Sequence, residues 1–396
     1  MKILILSFYF EPDLSAGSFR TTSLVNALLD QLSSQAHIDV ITTLPNRYNS
    51  FNSQALEFEV YPQLTINRIA LPTHKSGMFD QSKAFLEYAR GVLRLSREKN
   101  YDLIFATSSR LMTAVLGAYI SKRIKCKLYL DIRDIFVDTI KDVLPKKIVY
   151  AIKPIFSILE YWAIRQACRI NLVSEGFLPY FRKRYPKKEF TLFTNGIDQE
   201  FIDNQPRLPS SSESGILSVL YAGNMGEGQG LHTIIPDLAQ RFAGRLQFNL
   251  IGDGGRKQQL VVALASAGIT NVQILPPVKR DELINIYESA DILFLHLNDY
   301  DAFRKVLPSK VFEYAALGKP IWAGVTGYAA EFIKKNITNA AVFMPCDVDD
   351  AVNSFECLEL ITQPRLEFVE NFARTTIMQK MASDVISVAT VDVHSF

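Results

Sequence analysis

The chain opens on a continuous apolar run, Ile3 to Phe8, the pattern of a strand buried on both faces. A small-residue loop, Glu11 to Ser18, then leads into a stretch predicted to be helical from about Ser18 to Leu32. Short apolar runs recur at 37–42, 66–70, 103–106, 127–131, 169–173 and 190–193. Helical spacing separates several of them, at about 79–98, 110–122 and 148–168. Such alternation predicts a parallel sheet with helices on both faces. Residues 201–214 interrupt it with a polar stretch holding two prolines and four serines, which reads as a linker. The pattern then restarts with a strand at 216–222, a glycine-rich loop at 223–230 and a helix to about 243. Strands follow near 246–251, 272–275, 292–295, 320–323 and 341–344, and residues 365–393 read as mostly helical. The expectation is an α/β protein of two doubly wound, Rossmann-like domains, 1–200 and 215–375, joined by the linker.

Within the second half, Val306 to Pro320 carries the densest signal. Pro308 and Ser309 suit the first positions of a helix, and Val311, Phe312, Ala315 and Ala316 form an apolar stripe at helical spacing. Gly318 supplies a stop, and Pro320 opens the run Ile321-Trp322-Ala323. A helix start carrying Ser309 and Lys310 offers unpaired N–H groups and a positive dipole end to an anion. Glu313, one turn further, suits two hydroxyl groups of a sugar, so phosphate at the tip and ribose one turn in would fit a nucleotide. An ordinary capped core helix explains the same residues.

Three more glycine or proline turns end predicted strands on the same edge. Residues 223–230 place four glycines in eight positions, which lets backbone N–H groups approach a phosphate, although neither GxGxxG nor a P-loop lysine is present. Gly252-Asp253-Gly254-Gly255-Arg256-Lys257 puts a basic pair at a helix start, and Pro276-Pro277-Val278 offers backbone groups to a flat base. Strand ends of one sheet edge meet at a ligand crevice, so Gly223, Asn224, Gly252, Pro277, Val278, Ser309, Lys310 and Glu313 are the donor-side candidates. In the first half, Asp131-Ile132-Arg133-Asp134 follows a strand. Two carboxylates flank an arginine that would hold one of them ionised for acid–base work on an acceptor hydroxyl; a structural ion pair is the competing reading.

Composition narrows the field. At 396 residues the chain is too long for one ordinary core, and 48% hydrophobic with 21% charged residues is globular. A net charge of +2 gives no reason to expect nucleic acid. Cysteines 126, 168, 346 and 357 and five scattered histidines show no metal-ligand spacing, so neither a metal nor a cofactor is expected, and the thiols fit a reducing, cytoplasmic setting. The first residues lack a cleavage site, and Ile148 to Ile164 is broken by Lys153 and Glu160, so neither a signal peptide nor a membrane span is predicted. Apolar positions of 146–169 nonetheless recur at helical spacing among basic residues, and 182–188 adds five positive charges in seven positions. This combination suits the surface of an anionic membrane; a buried helix beside a solvated basic loop suits it equally.

Taken in order, these residues resemble bacterial glycosyltransferase family 4, which has the GT-B fold of two Rossmann-like domains facing across a cleft. The carriers are Phe10-Glu11-Pro12 with Ala16-Gly17-Ser18-Phe19-Arg20, Asp131-Ile132-Arg133-Asp134, Asn195-Gly196-Ile197-Asp198, Tyr221-Ala222-Gly223-Asn224, Ile251-Gly252-Asp253-Gly254, and Pro308-Ser309-Lys310 through Glu313 to Gly318-Lys319-Pro320. The subgroup most resembled is the N-acetylfucosamine-type transferases of O-antigen and capsule synthesis. The resemblance implies retaining transfer, without metal, from a UDP-sugar (an N-acetylated amino sugar) to a polyprenyl-diphosphate-linked glycan. It also implies peripheral attachment to the inner face of the bacterial plasma membrane. It places Ala16, Gly17, Ser18 and Arg20 on the acceptor side and Asp131, Arg133 and Asp134 at the chemistry. Residues 376–396 would form a helix crossing back to the first domain. Glu313 matches the later Glu of the family's E-x7-E motif, but Lys305 stands eight residues earlier in place of the first. The arginine and lysine that usually neutralise the diphosphate are replaced near Asn224 and Gln229, leaving Lys310, with Lys305 or Arg304, to supply the charge. A UDP-sugar 2-epimerase and a non-catalytic nucleotide-sugar-binding scaffold are the rival readings.

Overall fold

The computed structural model describes residues 1–45, 55–72, 78–108, 110–143, 146–203 and 215–391. They fall into two compact units, Met1–Asn195 with Arg374–Phe396, and Gly196–Ala373. Of the expected linker, 204–214 lies outside the described residues.

Among the described residues the first unit holds eight strands: β1 Lys2–Leu6, β2 His37–Thr43, β3 Phe58–Tyr61, β4 Leu64–Ile69, β5 Leu103–Ser108, β6 Lys127–Ile132, β7 Arg169–Leu172 and β8 Phe190–Thr191. Their order is β3-β4-β2-β1-β5-β6-β7-β8, parallel throughout except for β3 against β4. β1, β5 and β6 are apolar runs with almost every position buried, as a sheet covered on both faces requires. β3 is absent from the sequence reading, because Phe58-Glu59-Val60-Tyr61 is a short, exposed edge held by its antiparallel partner. The chain after β6 also differs from expectation. Beyond the Asp131–Asp134 turn it coils at once into the helix Phe136–Val143 and then the helix Lys146–Gln166, which carries Pro154.

In the second unit six strands, β9 Leu217–Asn224, β10 Leu246–Asp253, β11 Val272–Leu275, β12 Ile292–His296, β13 Ile321–Gly324 and β14 Ala340–Phe343, run parallel in the order β11-β10-β9-β12-β13-β14. This is the doubly wound order in which the chain leaves the sheet centre one way and returns the other, between β9 and β12. One face packs Phe242, Phe294, Phe343 and Phe355 around Trp322, whose indole N–H donates to Ser354 Oγ at 3.0 Å. The expected single helical segment at 365–393 is two helices, Leu366–Phe372 and Arg374–Thr390, parted where Ala373 bridges Ile197. The second of them belongs to the first unit. There Tyr129 donates to Asp384 at 2.8 Å, and Gln31 donates to the Gln379 carbonyl at 2.9 Å.

Candidate active site

Parallel sheets offer ligands the carboxyl ends of their strands where the winding reverses. In the second unit that place is the end of β9 beside β12, and the structure brings several candidates to it. Gly223 closes β9, paired in register with Gly252 of β10. A Cβ on Gly252 would collide with the Gly223 carbonyl, and one on Gly254 would come within 2.5 Å of the Met225 backbone. These glycines thus let two strand-end loops touch, and Gly252 is a packing position. A Cβ on Gly223 would collide with Cε of Lys310, so the side chain missing at 223 is replaced by the lysine's aliphatic end. Lys310 opens the helix Lys310–Ala316. Burial pulls its pKa down, against the attraction of Glu313. An ammonium so stripped of water gains strongly from an anion placed beside it.

The polar helix entry is less than expected. Ser309 caps the helix in helical conformation, and its hydroxyl makes no capping bond. Glu313 instead shares a charged cluster that the sequence did not reveal. Arg280, at the start of the helix Arg280–Ser289, is ion-paired with Asp198, lies 3.2 Å from Glu200 and feels the field of Glu313. Burial works against its charge, yet Asp198, Glu313 and Glu200 raise its pKa. The three segments are far apart in sequence, so no local pattern announces the cluster. Pro277 and Val278 follow β11, with Val278 resting on the hydrophobic core. The Arg304 guanidinium pairs with Asp299 at 3.3 Å and Asp301 at 3.7 Å.

Asn224 and Gln229 hold each other. The Asn224 amide donates to Gln229 Oε1 at 2.7 Å, and the Gly226 N–H reaches the same oxygen at 3.3 Å. Glu227 accepts from Tyr300 and pairs with Arg256, both of which hold it below the usual carboxylate range. The loop 223–230 is therefore shaped by its own side chains and by neighbours before any ligand arrives.

The first unit treats its strand ends differently. Arg20, expected on the acceptor side, and Asp131, expected at the chemistry, bind each other instead. Arg20 Nε and a terminal nitrogen reach the two Asp131 oxygens at 3.0 and 2.9 Å, and both residues are about 1% exposed. Thr107 and Asn171 donate to the same carboxylate, at 3.1 and 2.8 Å. Arg20 also donates to the carbonyls of Phe193 and Thr194, each at 2.7 Å. Burial alone would push the Asp131 carboxyl up; the guanidinium outweighs it and holds the acid below its ordinary range. Its hydrogen-bonding capacity is spent inside the wall, and that excludes Asp131 as the proton acceptor. Asp134 accepts from the Thr139 hydroxyl at 3.2 Å, and burial raises its pKa despite Arg133 nearby. Ala16, Gly17 and Ser18 form the first turn of the helix Ala16–Gln31, where Ser15 Oγ accepts the Ser18 N–H at 3.1 Å. A Cβ on Gly17 would collide with the Arg133 guanidinium, which brings these two candidates into contact.

Among the described residues no group of histidine, cysteine and acidic side chains is placed to hold a metal, and no helix is long and apolar enough to cross a membrane.

Residues 209–375 match the family model of glycosyl transferases group 1. A stretch of 122 residues is 33% identical to WcaI of Escherichia coli K12, described as a colanic acid biosynthesis glycosyl transferase; it covers 31% of this chain and 28% of that protein. The chain also resembles HepE of Anabaena, solved with UDP and glucose, at 17% identity and a TM-score of 0.69 over 98% of this chain and 100% of that one. WaaG, a glycosyltransferase involved in lipopolysaccharide biosynthesis, is similar at 12% identity and a TM-score of 0.62 over 98% and 97%. The structural relatives are GT-B glycosyltransferases, so the fold of this chain is GT-B, and its residues 209–375 carry the group 1 match.

Proposed function

We propose that the chain is a retaining glycosyltransferase of family 4, in the N-acetylfucosamine-type subgroup. It would move an N-acetylated amino sugar from a UDP-sugar to a polyprenyl-diphosphate-linked glycan in O-antigen or capsule synthesis. The observation that carries this reading is the contact of Lys310 with Gly223 at the reversal between β9 and β12, with Glu313 one turn further along the same helix. Negative charge grows on the departing diphosphate in the transition state, and a desolvated ammonium beside a bare strand end is arranged to meet it. Glu313, in the field of Arg280, takes the ribose hydroxyls. The UDP complex of HepE and the group 1 match of residues 209–375 support a nucleotide donor. In the first unit Asp134, whose raised pKa brings it nearer the working pH, orients or deprotonates the acceptor hydroxyl, while Arg133 over Gly17 shapes the acceptor side. No metal takes part in this scheme.

The acceptor's lipid would bring the enzyme to the inner face of the membrane. The helix Lys146–Gln166 exposes Tyr150 (87%), Ile155 (58%) and Ile158 (67%) among Lys147, Lys153 and Arg165, which supports an anionic surface as partner.

A thermal-shift screen against UDP-, GDP-, ADP- and dTDP-sugars in EDTA tests the donor. A ligand bound only by the folded state adds about 2.7 kcal/mol at a hundredfold excess over its Kd. The expected result is a shift with a UDP-sugar series that survives EDTA and weakens roughly tenfold in Lys310→Ala, about the worth of one charged hydrogen bond. No shift with any nucleotide-sugar overturns the reading and favours a scaffold; turnover without an acceptor favours an epimerase.

A further inference from the structure

Three successive carbonyls of the glycine-rich loop, those of Glu227, Gly228 and Gln229, are all captured by the end of β12. The Gly228 carbonyl accepts the Asn298 backbone N–H at 2.8 Å, and the Glu227 carbonyl accepts the Asn298 side-chain amide at 3.0 Å. The Gln229 carbonyl lies 2.7 Å from His296 Nδ1. His296 Nε2 in turn accepts the N–H of Cys346 at 3.0 Å. A carbonyl only accepts and a backbone N–H only donates, so the partners assign the proton to Nδ1 and leave Nε2 bare. The ring must therefore be neutral, in agreement with burial drawing its pKa down to about 4. Phe294 and Phe343 flank it at 6.1 Å, and Gly324 leaves its Cδ2 the room that a Cβ there would take. The Cys346 thiol, 3.3 Å from Thr233 Oγ1 and 3.4 Å from Asn298 Oδ1, completes the clamp.

In a trans peptide the N–H points opposite to the carbonyl before it. Anchoring carbonyls 227–229 on β12 therefore turns the N–H groups of Gly228, Gln229 and Gly230 away from that strand and fixes three peptide planes; the N–H groups of Gln229 and Gly230 close the turn on the Gly226 and Glu227 carbonyls, each at 3.3 Å. We propose that His296 is a positioning residue, which together with Asn298 presets the loop 223–230 for the donor's diphosphate. The role rests on the donor reading above. It demands a side chain that donates at one atom and accepts at another within a flat, buried slot, which neutral imidazole meets and an apolar ring does not.

The test is hydrogen exchange on the full chain without ligand, followed by donor binding. His296→Phe keeps a flat ring and removes both hydrogen bonds; His296→Gln keeps one donor and one acceptor. The amides of Gly228, Gln229 and Gly230 are expected to exchange roughly tenfold faster in His296→Phe, as losing about one net hydrogen bond predicts, and within about threefold of the parent in His296→Gln. Amides of β10 and β11 serve as the folded reference. Unchanged loop exchange in His296→Phe overturns the proposal. If that variant fails to fold, Asn298→Ala removes the grip on Glu227 and must speed the same amides, or the proposal fails. With the UDP-sugar that shifts the parent protein, His296→Phe is further expected to raise donor Kd roughly tenfold while acceptor KM stays unchanged, a split that general destabilisation would not give. Should the parent bind no nucleotide-sugar, the donor reading falls, and the exchange experiment still decides whether the clamp exists.

Discussion

The two units wind their sheets alike and use the strand ends in opposite ways. Both start from a central strand, β1 or β9, build outward to one side, and return to the other. At the end of β6 the first unit buries Arg20, Asp131, Thr107 and Asn171 in one hydrogen-bonded network. At the end of β9 the second unit places Gly223, with the carbon chain of Lys310 against it. A filled strand end is rigid and has no hydrogen-bonding capacity left for a ligand. A strand end made of glycine, walled by a desolvated lysine, keeps its interactions for something still to arrive. Similar topology therefore does not make similar sites; what side chains do at the reversal decides.

The largest effect that separates the two should come from the first unit. Removing one partner of a buried ion pair strands the other, at about 3–5 kcal/mol, so Asp131→Ala should lower the denaturant midpoint severely. The double variant Arg20→Met with Asp131→Leu should recover most of that loss, because it leaves no unpaired charge. If the single variant is as stable as the parent, the network is not what holds this strand end.

Next comes the histidine of the second unit. The fold draws the His296 pKa from 6.5 to about 4, so the native state favours the neutral ring. Its contribution is full above pH 6.5 and is lost as pH falls toward 4, amounting to about 3 kcal/mol by linkage. The difference in unfolding free energy between the parent and His296→Gln should therefore shrink across that window. A difference independent of pH would mean that the ring does not titrate this way.

Gly252→Ala, with φ at +145° and a carbonyl in the path of the new Cβ, should cost on the order of 1–3 kcal/mol. Gly255→Ala meets nothing within 4 Å and should be close to neutral. Equal stabilities for the two would contradict the close approach of the β9 and β10 loops. The smallest change should be in surface binding. Ile158→Ser loses roughly 1–2 kcal/mol of apolar contact with vesicles containing anionic lipid and nothing in fold stability. Unaltered vesicle cosedimentation would remove the helix Lys146–Gln166 from the membrane reading.

How much of the site was readable depended on how local its pattern was. The glycines at 223, 226, 228 and 230 and the lysine and glutamate at 310 and 313 lie within short segments and stand out by spacing. Arg280 with Asp198 and Glu200, and His296 with Gln229 and Cys346, join segments tens of residues apart, and each alone resembles an ordinary polar residue. Asp131 needed the structure for a related reason. Its neighbours in sequence, Arg133 and Asp134, allow both a catalytic group and a structural ion pair, while its partners in space are Arg20, Thr107 and Asn171.

By itself the sequence determined the two doubly wound sheets, because apolar runs of strand length between helical stretches can bury their faces in few other ways. It likewise determined the glycine-rich turn at 223–230. Only the tertiary structure decided which charges are spent and which remain. Hydrogen-bonding capacity is a matter of distance in space, and a carboxylate holding four hydrogen bonds in a buried network differs from an available one only through residues that the chain brings to it from far away.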